Sequence, residues 1–173
     1  MANVCINRLF ITAPPATCRD LLADVGLPSS TAAEYELSFA VLVPEPEAAA
    51  SDAEALSAAR SSWRRRHWGT TVDPRTARMR GDEHPGGVDF EFETPEPPLA
   101  WVSALAAAHP LARLHLLFDC PDEPRAGEVI YINGSERRRS EVAPSAYESW
   151  ARESAVDGIY GEHQPPYDRI GLD

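Results

Sequence analysis

Residues 87–94, GVDFEFET, alternate without a break. Val88, Phe90 and Phe92 fall on one side of an extended chain, and Asp89, Glu91 and Glu93 on the other. A helix would scatter these rings and carboxylates around its circumference. A strand sorts them onto two faces, because successive side chains point opposite ways. The stretch therefore predicts a sheet with one apolar and one polar face, which is the habit of antiparallel sheets. Helices are expected on the apolar face. The acidic face is expected to lie either open to water or under the C-terminal segment.

Other elements follow from their own patterns. NVCINRLFIT, residues 3–12, is rich in β-branched and aromatic residues and stops at Pro14-Pro15, which predicts a strand. PPATCRDLLADVG opens on proline and ends at Gly26; Cys18, Leu21, Leu22 and Val25 make one helical stripe. Residues 35–43, YELSFAVLV, read as a second strand. A helix is predicted through AAASDAEALSAARSSWRRRHW, with Ser51 and Glu54 as a capping box, Leu56, Ala59 and Trp63 as its apolar stripe, and Gly69 as its stop. Strands are predicted over 70–80 and 87–94, then a helix over 97–110 with Trp101, Val102, Leu105 and Ala108 inward. Strands at 112–118 and 128–133 follow, the latter closed by the turn pair Asn133-Gly134. PSAYESWARES, with Ser145 and Glu148 as a second capping box, predicts a short helix ahead of an irregular tail.

Two β-α-β halves on one sheet describe an α+β, ferredoxin-like fold. It has helices on one face, an inserted helix between the second and third strands, and an extra C-terminal strand and short helix. Residues 1–135 are read as the domain and 136–173 as an extension, with the weakest joint near Ser135. A chain of 173 residues with 43% hydrophobic residues can bury one real core.

Cys5, Cys18 and Cys120 form no CxxC and are too few for a disulfide framework, so three reduced thiols are expected, Cys18 as a core filler. No apolar run is long enough to cross a bilayer, and no basic n-region precedes the N-terminal apolar stretch. A cytoplasmic protein without a membrane partner is the expectation.

The formal net charge of −11 works against generic binding to a phosphate backbone. Against that stand two arginine triplets, Arg64, Arg65 and Arg66, and Arg137, Arg138 and Arg139, the possible binding surface. Trp63 and Trp68 flank the first triplet and would stack bases if exposed. At a helix end, however, arginines complement the dipole and tryptophans extend the apolar stripe. The triplets are therefore read first as solvated groups paired with carboxylates such as Glu136 and Glu141.

Catalytic templates are missing: the chain has no GxGxxG, Walker loop, HExxH or GxSxG. Asp82-Glu83-His84 sits in a hairpin loop, and Asp119, Asp122 and Glu123 lack the spacing of a calcium loop, so solvation is the reading for both. His115 is placed on the open side of its strand as a bystander. No catalytic residue, cofactor or metal is expected.

Several blocks, in order over most of residues 1–135, resemble the YubB-type ferredoxin-like family of phage- and plasmid-encoded proteins. MANVCINRLFIT resembles that family's MANWCxNxLxITG opening, HWGTTVD its NWGTKWD, and FEFETPEPP its FxFxTAWSPP. The second strand with its PEP ending is similar to a family strand running into Pro-Met-Pro. Val4 and Val72 stand where the pattern has tryptophans, Thr71 where it has lysine, and Pro95-Glu96 where it has Ala-Trp. The resemblance implies the ferredoxin-like fold and a mobile-element origin, and implies no reaction. The retained positions Asn7, Trp68, Gly69, Thr70 and Asp73 read as a structural corner, an indole under a tight turn.

These readings point to a non-enzymatic accessory protein of a phage or plasmid, acting by contact with another protein, with counter-defence as one form of that contact. The alternative is a nucleic-acid-binding accessory protein using the arginine patches; a small enzyme comes third.

Overall fold

The alternating stretch forms a strand that pairs with the N-terminal one along its whole length. The computed structural model describes residues 4–28, 34–47, 52–74, 77–79, 87–143 and 146. In chain order these residues form β1 (Cys5–Thr12), α1 (Pro15–Val25), β2 (Gly26–Pro28), β3 (Glu34–Leu37), α2 (Phe39–Leu42), α3 (Ala53–His67), β4 (Ala77–Met79), β5 (Gly87–Thr94), α4 (Leu99–Ala108), β6 (Arg113–Cys120), β7 (Arg125–Ile132) and β8 (Ser135–Glu141). The described strands make one eight-stranded sheet in the order β2-β3-β4-β5-β1-β6-β7-β8. Every pairing in it is antiparallel.

Register decides what each face carries. Cys5, Asn7, Leu9 and Ile11 of β1 stand opposite Thr94, Phe92, Phe90 and Val88 of β5, which stacks the apolar residues of both strands on one side. Leu114, Leu116 and Phe118 of β6 continue that side, and so do Val129 and Tyr131 of β7. The helices bury Cys18, Leu21 and Val25 of α1, Phe39 of α2, and Trp101, Val102, Leu105 and Ala106 of α4 in the same cluster. Ala106 takes the inward place expected of Ala108, which is exposed. The α3 helix buries no residue fully; Leu56 and Trp63 are half-buried and Ala59 faces water.

The expected strand over 35–43 stops at Leu37, and Phe39–Leu42 turns helical. The cause is remote in sequence. The Asp73 carboxylate accepts from the Phe39 amide at 2.6 Å and from the Ser38 hydroxyl at 2.7 Å, capping the first turn of α2. Apolar β-formers at 39–43 lose to that cap and to the burial of Phe39. The α3 helix is capped by Asp52, whose side chain accepts from Ala55 N at 2.7 Å, one residue later than the capping box expected on Ser51. Ser51 itself, the loop holding Asp82-Glu83-His84, and the short helix expected around Ser145 and Glu148 lie outside the described residues.

Asn133 (φ 53°) and Gly134 (φ 73°) both take the left-handed region, so the predicted turn closes a tight hairpin. Its second arm, β8, crosses the joint drawn near Ser135 and pairs with β7 as an edge of the same sheet.

The cysteines depart from expectation. Cys5 and Cys120 are bonded to each other across β1 and β6, with Cα atoms 4.1 Å apart, while Cys18, a buried core residue, lies outside that disulfide. Sequence separation of 115 residues hid the pair; the β1–β6 register brings them opposite one another. Disulfides are rare in a reducing cytoplasm, so this bond weighs against the reduced-thiol, cytoplasmic expectation. Among the described residues, no helix is long and apolar enough to cross a membrane.

Candidate functional site

Two places gather polar side chains: a corner built on Trp68 and Gly69, and the sheet face opposite the helices. At the corner, Trp68 is fully buried and its Nε1 donates to Val43 O at 2.9 Å. Its ring meets Phe39 edge-on at 5.8 Å and Trp63 edge-on at 5.8 Å, and Trp63 in turn stacks on His67 at 4.4 Å. The Trp68 carbonyl accepts from Trp101 N at 3.1 Å, satisfying an amide in the first turn of α4. Gly69, at φ 90°, lies against the start of α4; a β-carbon there would come within 2.8 Å of Leu99 N. No residue but glycine fits both demands.

The remaining retained positions divide between this corner and α2. Asn7 is buried and donates to Thr94 Oγ1 at 2.7 Å and to Cys5 O at 3.1 Å. Thr94 Oγ1 donates to Glu96 O at 2.7 Å, and the Glu96 carboxylate accepts from Thr70 Oγ1 at 3.0 Å and from Thr71 N at 3.2 Å. Asn7, Thr94, Glu96 and Thr70 are thus one chain of hydrogen bonds. Glu96, a position where the sequence departs from the family pattern, is its hub, and sequence reasoning missed it. Asp73 stands apart on the α2 cap. Asp73→Ala is expected to cost about 1–2 kcal/mol, the usual loss for a removed cap, and Asp73→Asn to recover part of it; urea unfolding midpoints of the three chains measure this.

Four of the six triplet arginines face a carboxylate. In α3, each step of about 100° turns the next side chain to a new face. Arg64 donates from Nε to Glu45 at 2.9 Å and lies over the Trp68 ring at 5.1 Å. Arg65 reaches Glu96 at 3.0 Å, and Arg66 points to solvent. In β8 the pairing skips from Ile130–Arg138 to Tyr131–Glu136, so Arg137 is the extra residue of a bulge. Arg138 pairs with Glu128 at 3.2 Å and Arg139 with Glu136 at 2.8 Å. Glu141, named from sequence as a triplet partner, pairs instead with Arg125 at 3.1 Å.

On the face opposite the described helices, β1 contributes Ile6, Arg8 and Phe10, flanked by Asp89, Glu91 and Glu93 of β5 and by Leu117, His115 and Asp119 of β6. Arg8 grips Asp89 with two nitrogens, Nε at 3.1 Å and Nη2 at 2.6 Å, and its guanidinium lies over the Phe10 ring at 4.7 Å. His115 is buried, not on an open side as its alternation with Leu114 and Leu116 suggested. Its ring nitrogen Nε2 donates to Glu128 Oε2 at 2.8 Å, and the other Glu128 oxygen meets Arg138.

Burial holds the His115 ring below its ordinary pKa of 6.5, outweighing the Glu128 carboxylate, which favours the charged form. The unfolded chain then takes up a proton that the folded chain resists. The stability of the neutral ring is fully present above pH 6.5 and is lost as pH falls from there through the lower folded value. Between about pH 7.5 and about pH 5.5, the natural chain is expected to lose more unfolding free energy than His115→Gln, which keeps a donor but does not titrate. Urea titrations at both pH values give the comparison, and parallel losses in the two chains would count against the assignment.

Among the described residues the architecture is α+β, one antiparallel sheet with helices packed on one side. No family model matches it, and no curated protein does. Among solved structures it is similar to the crystal structure of api92 from Yersinia pseudotuberculosis, described by the family model DUF1281, with a TM-score of 0.56 at 8% identity. The match covers 83% of this chain and 99% of that one, so the likeness is one of fold.

Proposed function

We propose that this chain is a non-enzymatic accessory protein of a mobile genetic element and acts by contact with another protein, counter-defence included. The observation that carries the reading is the state of its guanidinium groups. Arg64, Arg65, Arg138 and Arg139, four of the six triplet arginines, already face a carboxylate. A phosphate backbone would have to displace those partners against a net charge of −11. The resemblance to the YubB-type family supports the mobile-element origin. The strand order β4-β5-β1-β6, with α1 and α4 as the two crossovers, supports a ferredoxin-like core within the wider sheet. The Cys5–Cys120 bond argues against the cytoplasm as the site of action, and the proposal does not depend on that compartment.

Nucleic-acid binding is the second reading, and the exposed Arg66 and Arg137 favour it. Fluorescence anisotropy with single- and double-stranded DNA across a salt series separates the two. The expected result is weak binding that is unchanged in the Arg64→Ala/Arg65→Ala/Arg66→Ala chain. A pull-down from host lysate with the same variant should retain its protein partner. Tight DNA binding whose salt slope falls in the variant would put the second reading first.

A further inference from the structure

We propose that the outward face of α3 is an interaction surface and that its occupant is the α3 helix of a second copy of this chain, paired antiparallel. Steps of about 100° per residue put Glu54, Ala55, Ala58, Ser62, Arg65 and Arg66 on one side of the helix, and all of them are exposed. The half-buried Leu56, Trp63 and Arg64 mark the other side, toward the body. Two charges on the outward face lack a counterpart. Three and four residues along the helix Glu54 has Ser57 and Ala58, and Arg66 has Ser62 and Trp63, so neither can pair within its own helix. Among the described residues neither meets an opposite charge, whereas Arg64 and Arg65 meet Glu45 and Glu96.

The face is complementary to itself. Its carboxylate stands near the amino end of α3 and its guanidinium groups near the carboxyl end, with Glu54 and Arg66 about 18 Å apart along the axis. A twofold interface sets residue i against j and j against i. Turned antiparallel about its midpoint, α3 sets Glu54 against the partner's Arg66 and Arg66 against the partner's Glu54. The helix dipoles then run opposite ways, each end beside the end of opposite sign. Between the charges, Ala58 falls opposite the partner's Ser62, and side chains this small let the axes approach to about 8 Å, the near end of the usual range. A polyanion would suit Arg65 and Arg66 but meet Glu54 at the other end of the same face, which favours a second copy over a phosphate chain. One helix pair covers less than the roughly 1,200 Å² of a standard interface, so the dimer is a weak one. This pairing is independent of the accessory reading above.

The test uses the complete chain. Sedimentation equilibrium to about 1 mM, the range in which so small an interface associates, is expected to show monomer and dimer in exchange. Glu54→Arg and Arg66→Glu are each expected to weaken the association about tenfold, because two attractive contacts per dimer become repulsive. The two variants move the net charge of −11 in opposite directions, so a general charge effect would weaken one and strengthen the other. An equimolar mixture of the two restores both attractive contacts, and a heterodimer as tight as the natural dimer is expected. A natural chain that stays monomeric throughout, an association unchanged in either variant, or a mixture no tighter than its components overturns the proposal. Urea midpoints check the fold of each variant. Where a reversal lowers the midpoint, Glu54→Gln and Arg66→Gln take its place; weaker association is expected in both, and unchanged association in either overturns the proposal.

Discussion

A Trp68→Ala chain is expected to lose about 3–5 kcal/mol of unfolding free energy, the range for deleting a large aromatic from a packed core. The site offers little room to relax. Trp68 is fully buried, its ring is held by Phe39 and Trp63, and its backbone carbonyl sets the start of α4. The indole also satisfies Val43 O, which closes α2, so alanine leaves a carbonyl without its donor. Against a total stability of about 5–15 kcal/mol for an ordinary domain, the variant is marginal or unfolded. Trp68→Phe keeps a six-membered ring but loses the hydrogen bond and part of the packing, and is expected to fall between the natural chain and Trp68→Ala. Chemical denaturation of the three chains reads this directly. A small change in Trp68→Ala would mean that the corner does not organise the fold.

Removing the Cys5–Cys120 bond is expected to have a comparable effect. Closing a separation of 115 residues restricts the unfolded chain by about 4–5 kcal/mol on the loop-entropy account. The natural chain should therefore unfold at lower urea when reductant is present, and Cys5→Ala/Cys120→Ala should unfold there with or without it. Cys18→Ala should leave the response to reductant intact, since Cys18 is outside the bond. Alkylation in denaturant without reductant should modify Cys18 alone. Equal midpoints in the two conditions for the natural chain would rule out this stabilisation.

Local pattern was enough wherever one physical demand dominated a short stretch. The alternation at 87–94 left a strand as the only way to separate rings from carboxylates, and β5 lies there. Pro15 and Gly26 bracket α1, with Cys18, Leu21 and Val25 inward as their spacing required. Asn133-Gly134 marked a turn from residue chemistry alone. The arginines at the end of α3 were legible as helix-end charges because the dipole and the periodicity are both properties of the helix itself.

What remained hidden depended on partners far along the chain. Residues 39–42 carry a strand's composition and form a helix because Asp73 caps them from 34 residues away. Cys5 meets Cys120 because β1 and β6 share a register, and no local spacing encodes that register. Glu96 became the hub of the corner through hydrogen bonds to side chains on β5 and the turn after α3. His115 and Phe10 alternate as residues of a wet face would, yet they are dry. Where sequence by itself identified the element, as in β5 and α1, it also determined which side chains share a face, since that follows from backbone periodicity. Only the tertiary structure decided what each side chain meets, because burial and pairing energies depend on distances between segments that the chain order leaves open.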